Sequence, residues 1–561
     1  MNRKQKETKL LHAVRRSIIT TIFLIIIIFL INIAPNYLKE AKDDRVNIII
    51  NNKNVTNDLK NSILIRDGKA YISTADIKNF LDEYLIEDND SVILTSSTKT
   101  VKFKKMSDYI DVNTSYVKID EKSFDENENT YLSIKELSSI YNYEYTYNDS
   151  KKRLMIDSLN KRYVEAISKK NQEVKYKATS LSKCLVKIKR GEKVTVVQDF
   201  EKNADFTVGG WVRIRTQDGT MGYVKKSGLQ DENVLRENLE SKKINEKISM
   251  VWEYYSPYQE CPTPDGKIEG VNVVSPSFYE LKADGSIKAN VGTKGENYIS
   301  WAKENGYKIW PTLSNINLTN LDHLSQMLSS FENREKLIDN IIKNLAEDNV
   351  DGVNIDFENM YKKDKDNYSR FIIELAPRIH EIGMTLCVDV TEPDGSDTWS
   401  LCYDRNTLAN VSDYLVYIGY EQHNASSKAA GSVAGYDWDE INIKKFLGQE
   451  EVKKEKLIMA MPFYTRLWCE KDGKLTSKVV NMKDVTIPSK ATKIFDEKTK
   501  QNYIEYKQNG ATYKMWIEDV DSISNKLDLI NNYDLAGCGF WEYGRENKEV
   551  WNVIKEKMKI D

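Results

Sequence analysis

The sequence predicts a multidomain protein. It comprises one transmembrane helix, an N-terminal α+β domain, a small all-β barrel and a C-terminal (β/α)8 barrel with an α+β insertion. Three observations predict it. An uncharged, largely apolar run follows a basic N-terminus. Segments rich in Ile, Val, Tyr and Thr, broken by Asp, Asn and Gly, then alternate to about residue 229. Finally, eight apolar strand-like runs alternate with helical stretches over about 247–561, a length that suits one (β/α)8 barrel.

Composition narrows the function classes. Lys and Arg total 82 and Asp and Glu 85, a net charge of −3, without the basic excess of a nucleic-acid binder. Hydrophobic residues at 40% and aromatics at 10% support real cores rather than a disordered chain. His12, His323, His380 and His423 lie far apart and no Cys pair has ligand spacing, so the sequence gives no metal site and no disulfide framework.

Residues 1–45 read as a cytoplasmic basic flank and membrane anchor. Arg3, Lys4, Lys6, Lys9, Arg15 and Arg16 face the single acid Glu7, and Ile18 to Ala34 is a predominantly apolar run without a charge. Seventeen residues is the short limit of a membrane-spanning helix. The basic flank stays inside, which sets the later regions outside the cell membrane. A secreted product of signal cleavage is the alternative, but Asn32-Ile33-Ala34 followed by Pro35 is a poor cleavage site.

Residues 46–158 carry a faint duplication. Ala70-Tyr71-Ile72-Ser73 opens a helical stretch, Thr74 to Tyr84, and Thr130-Tyr131-Leu132-Ser133 opens another, Ile134 to Tyr141; each Ser or Thr can cap its helix. This half-repeat resembles the copper amine oxidase N-terminal-like domain of bacterial surface proteins. The region contains no His, so the name implies no copper.

Residues 174–229 read as short strands with tight turns, Asp218-Gly219 among them. Gly191-Glu192-Lys193-Val194-Thr195-Val196, Trp211-Val212-Arg213-Ile214 and Gly222-Tyr223-Val224 resemble the bacterial SH3 domain. That resemblance implies a module for cell-wall peptides; a rigid spacer is the alternative. Trp211 and Tyr223 are either core or ligand platform. A charged linker, Asp231 to Glu246, follows.

The eight barrel runs are KISMVWEYY, GVNVVSPSFYEL, YKIWPTL, VDGVNIDFE, MTLCVDVTE, YLVYIGYE, KLIMAMPFY and LAGCGFWEYG. Amphipathic helices such as Arg334 to Glu347 and Tyr368 to Ile382 lie between them. An insertion is expected at about Glu470 to Asn532, with a hairpin at Asn509-Gly510.

The chemistry concentrates at the end of the fourth run. On a strand, Asn354, Asp356 and Glu358 share the face that points into the barrel, and Glu358 comes last, at the C-terminal mouth where such barrels keep their active sites. Close like charges raise the proton affinity of one member, which is what a general acid needs. A surface strand alternating acids with apolar residues is the plainer alternative, but an apolar strand between helices should be covered on its outer side.

Asp351-Gly352-Val353-Asn354-Ile355-Asp356-Phe357-Glu358 resembles the D-x-x-D-x-D-x-E signature of glycoside hydrolase family 18, the chitinase-like barrels. Tyr417-Ile418-Gly419-Tyr420-Glu421-Gln422-His423 is similar to the family's sixth-strand element. Met461 to Trp468 is similar to the seventh, and Gly539-Phe540-Trp541 to the last. Together they look most like the branch of spore and cortex-lytic N-acetylglucosaminidases. The resemblance implies substrate-assisted retaining hydrolysis, an exception to the usual two-carboxylate scheme. In it Glu358 is the general acid and then base, and the sugar's 2-acetamido oxygen is the nucleophile. Asp356 orients the acetamido N–H, Tyr420 bonds its oxygen, and Trp541 floors the sugar. Asp351, Asn354, Glu421, Tyr464 and Arg466 are implied sugar-site residues. No metal or organic cofactor is implied.

Two departures stand out. Asn354 replaces the family's middle Asp, and Glu421 replaces the Asp after the sixth-strand Tyr. Combining an extracytoplasmic tether, an SH3-like module and this barrel points to peptidoglycan as the partner glycan. Chitooligosaccharide hydrolysis and a sugar-binding scaffold without turnover are the alternatives. The sequence names no protein partner.

Overall fold

The computed structural model describes residues 14–15, 17–22, 45–88, 90–199, 204–236, 246–254 and 263–560. Among them no helix is long and apolar enough to cross a membrane; most of the expected anchor, residues 23–34, lies outside the described residues. The chain forms two compact units, Met1–Leu94 with Val101–Ser241, and Thr95–Thr100 with Lys242–Asp561.

In the first unit the duplicated segments are strands that pair with each other. Lys69–Ser73 runs antiparallel to Asn129–Ser133, with Ile72 opposite Leu132. Each strand ends in a Ser whose hydroxyl accepts from a backbone N–H of the helix it opens, Ser73 from Asp76 and Ser133 from Lys135. The first helix is shorter than expected, Thr74–Phe80. Ile72, Ile77, Leu132, Ile134 and Leu137 are fully buried in one core. The following β region is wider than 174–229. Its sheet runs from Tyr163–Ser168 to Leu229–Arg236, because Tyr163–Ser168 pairs with Lys193–Val196 on one side and with Leu229–Arg236 on the other. Trp211 is buried, with the Lys225 ammonium 4.5 Å from its ring centre, whereas Tyr223 is only half-buried.

The second unit is a closed (β/α)8 barrel. Its strands are, in chain order, Ile248–Glu253, Val273–Pro276, a third in two pieces (Lys308–Ile309 and Thr312–Ser314), Gly352–Asp356, Thr385–Val390, Tyr414–Ile418, Leu457–Pro462 and Gly537–Trp541. All pair in parallel, and the eighth closes on the first. Each of the eight apolar runs holds one strand. Alternation splits their side chains: Ile248, Met250, Trp252, Trp310, Cys387, Val416 and Ile458 fill the interior, and Val353, Ile355, Leu386 and Val388 meet the helices. A Cβ on Gly539 would lie 2.8 Å from the Trp252 ring, so the glycine makes room for that indole.

The helices follow the 3.6-residue period. In Phe331–Asp348 the buried positions Leu337, Ile338, Ile341 and Leu345 form one stripe, Ser330 caps the start, and Asn349 ends the helix at φ +51°. The insertion lies earlier than expected. Its five strands run from Tyr464–Lys471 to Ala511–Ile517, and Val520–Asn532, assigned to it from sequence, is the barrel helix between strands seven and eight. The Asn509-Gly510 hairpin is present, with Gln508 opposite Ala511 and both turn residues at positive φ.

Candidate active site

Barrel strand four carries its polar residues inward, as alternation requires. Asn354 is fully buried; Asp356 and Glu358 keep partial exposure at the mouth. Beyond the strand, two side chains fix the backbone that presents Glu358. Asn315, from the loop after strand three, accepts from the Glu358 N–H at 2.9 Å and donates to its C=O at 2.9 Å. The Tyr403 hydroxyl donates to the Phe357 C=O at 2.7 Å.

The neighbouring strand adds a carboxyl. Asn354 pairs with Cys387 and Ile355 with Val388; continuing that register puts Asp356 next to Asp389, on strands whose usual spacing is about 4.8 Å. Asn354 Nδ2 donates to Asp389 Oδ2 at 2.7 Å rather than to Asp356. One oxygen of Asp356, one of Asp389 and the Asn354 carbonyl are buried without a hydrogen-bond partner among the described residues.

Burial without cations sets the protonation. Asp356 is pushed up to about 7 by burial. Glu358 is driven well above the carboxylate range by burial, then by the charges of Asp356 and Glu421. Asp389 moves the same way through burial and through Asp356, opposed by its bond from Asn354. The Tyr420 phenol is raised by burial, by Tyr464 and by the Glu358, Asp356 and Asp389 carboxyls it faces.

A second group adjoins the first. Glu421, at φ +66° after strand six, accepts from Arg466 at 3.1 and 3.2 Å and from the Tyr464 hydroxyl. The Tyr464 ring lies 6.3 Å from Tyr420, edge to face. The longer acid at this position thus spans to the first strand of the insertion. Trp541 ends strand eight half-buried, its ring 6.1 Å from Trp252 and 6.0 Å from Tyr254.

Asn354, Asp356, Glu358 and Tyr420 therefore meet at one point, with Glu421, Tyr464 and Arg466 beside them and Trp541 on the rim. Asp351 does not join them, which corrects its expected place at the sugar site. It precedes strand four at the opposite end of the barrel, roughly 20 Å of strand from Glu358, and binds Lys308 Nζ at 3.2 Å and the Ile309 N–H at 3.0 Å. Asp389, Asn315 and Tyr403 are the residues that sequence reasoning missed. Asp389 left one signal, a lone acid inside the apolar run Leu386-Cys387-Val388-Asp389-Val390.

A proton-retaining carboxyl beside a second acid at the C-terminal mouth of a (β/α)8 barrel suits the general acid–base chemistry of a glycoside hydrolase. The model of glycosyl hydrolases family 18 matches residues 248–546, and the chain belongs to that family. It is 24% identical over 301 residues to the uncharacterized glycosylase YvbX of Bacillus subtilis (strain 168), covering 52% of this chain and 85% of that protein. It is 21% identical over 289 residues to the cortical fragment-lytic enzyme of the same organism, covering 46% and 66%. The chitinase structure from Chromobacterium violaceum ATCC 12472 superposes with a TM-score of 0.48 at 22% identity, covering 56% of this chain and all of that one.

Proposed function

We propose that the protein is a membrane-anchored, extracytoplasmic N-acetylglucosaminidase that cleaves peptidoglycan by substrate-assisted retaining catalysis. The observation that carries this reading is Glu358, buried at the barrel mouth beside Asp356 and holding its proton to well above the carboxylate range. A carboxyl in that state donates to a glycosidic oxygen at neutral pH. With Glu358 on the leaving oxygen, the sugar's acetamido oxygen closes on the anomeric carbon and forms an oxazolinium ion. Asp356 accepts the acetamido N–H and offsets the developing charge; Tyr420 donates to the acetamido oxygen. Glu358, now ionised, takes a proton from the water that opens the ring. Trp541 supplies the apolar floor, while Glu421, held by Arg466 and Tyr464, accepts sugar hydroxyls.

The choice of peptidoglycan is supported by relatives named for cortical fragments and sporulation. The basic flank and apolar run before residue 35 favour anchorage with the barrel outside. The SH3-like segment fits a wall-binding module. The test incubates the full-length protein with purified peptidoglycan and identifies new reducing ends, with Glu358→Gln as control. New N-acetylglucosamine ends from the wild type alone are expected. Cleavage of chitooligosaccharides only would favour a chitinase, and binding without release at any pH would favour a scaffold.

A further inference from the structure

We propose that Asp389 is the proton partner of Asp356: the two carboxyls, on neighbouring strands, hold one proton between them, and Asn354 keeps Asp389 in place to do so. This rests on the reading of Asp356 as the group that receives the acetamido N–H.

Asp356 and Glu358 face Asp389 from strand four, Tyr368 from the helix Lys365–Glu381, Tyr420 from beyond strand six, and Cys387 from its own strand. All are neutral or acidic. No Lys or Arg forms an ion pair with Asp356, Glu358 or Asp389 among the described residues. Two ionised carboxylates at neighbouring inward positions, buried and uncompensated, repel each other strongly, and one of them keeps a proton.

The hydrogen bonds then say where the proton goes. Asn354 Nδ2 donates to Asp389 Oδ2, 2.7 Å away, and its own carbonyl is left without a donor. Asp389 Oδ1 and Asp356 Oδ1 are likewise buried without a partner. A single proton shared between them gives both a partner; with none, two acceptors face each other unpaired. As the acetamido N–H arrives at Asp356, the shared proton settles on Asp389, and Asp356 meets the substrate as an anion. No charge enters or leaves the barrel. Asp389 never touches the sugar. It is a positioning residue that sets the charge of the one that does.

The test reads protonation directly. Full-length protein labelled with 13C at the aspartate carboxyl carbons is titrated by NMR, and the Asp356 and Asp389 signals are assigned with single variants. The wild type should show the pair losing its two protons in widely separated steps, each step sensed at both residues. In Asp389→Asn, the side-chain amide donates to Asp356. Its midpoint should fall by at least about one pH unit, and the acidic limb of kcat should move down with it. KM should change less than kcat. An Asp356 midpoint and acidic limb unchanged in Asp389→Asn would overturn the proposal. If that variant does not fold, the wild type decides: two independent single-step titrations near the ordinary aspartate value of about 4 would overturn it equally. The titration needs no substrate. A shared proton in a protein that releases no sugar would sink the glycosidase reading and leave this one standing.

Discussion

Two acidic clusters of the barrel unit are built in opposite ways. Between the helices Phe331–Asp348 and Lys365–Glu381, Glu374 receives Arg334 at 2.8 and 2.9 Å and Arg370 at 2.7 Å. Arg334 also donates to the Leu328 C=O. At the mouth, Asp389 is buried and Asp356 and Glu358 are half-buried, and no cation bonds them among the described residues. Where the charge is matched, the cluster fastens helices. Where the charge is unmatched, the native state holds protons at neutral pH and has them to give. The difference separates structure from chemistry without appeal to any relative.

The comparison breaks most visibly at Glu358. Glu358→Gln keeps the shape but has no proton for the leaving oxygen. Hydrolysis should fall by about 10²–10⁴-fold with the fold retained, as followed by reducing-end release and calorimetry. The matched cluster should behave in reverse. Glu374→Ala leaves two guanidinium groups buried without their carboxylate and should lower stability by about 3–5 kcal/mol in denaturant unfolding, while the folded fraction keeps its kcat.

A smaller effect tests the link between the two groups at the mouth. Arg466→Met leaves the Glu421 charge uncompensated beside Glu358. Glu358 should then hold its proton to higher pH, moving the basic limb of the rate profile upward. KM should rise about tenfold through loss of the charged hydrogen bonds.

The smallest effect is on stability. Asp356 binds its proton more tightly folded than unfolded, so its contribution to stability falls as pH rises from about 4 to about 7 and is level beyond. Asp356→Asn removes that loss. Its melting temperature should match the wild type near pH 4 and exceed it by roughly a few degrees above pH 7, although turnover drops.

Much of this was legible in the sequence, and the remainder failed for specific reasons. The eight apolar runs declare the barrel because parallel strands buried on both faces read as continuous Val, Ile and Leu. Alternation brings Asn354, Asp356 and Glu358 to one face. The same rule argues against Asp351, which lies at an odd offset and at the far end of the strand; motif membership overrode it. Asp389 was hidden because its relation to Asp356 is a matter of register between strands about 33 residues apart, which no local pattern encodes. Asn315 was hidden for the same reason: nothing in Thr312-Leu313-Ser314-Asn315 says whose backbone the amide will hold. The insertion was misplaced because strand seven, Leu457–Pro462, is followed almost at once by the first insertion strand, starting at Tyr464. Only a change of direction marks the boundary.

The most direct test of the catalytic account uses two oligosaccharides that differ only at C2, one with an acetamido group and one with hydroxyl, given to the full-length protein at its optimum pH. If the substrate supplies the nucleophile, the acetamido sugar is cleaved with retention and the hydroxyl sugar is nearly inert, while both bind. Equal cleavage of the two would contradict substrate assistance and with it the role given to Asp356.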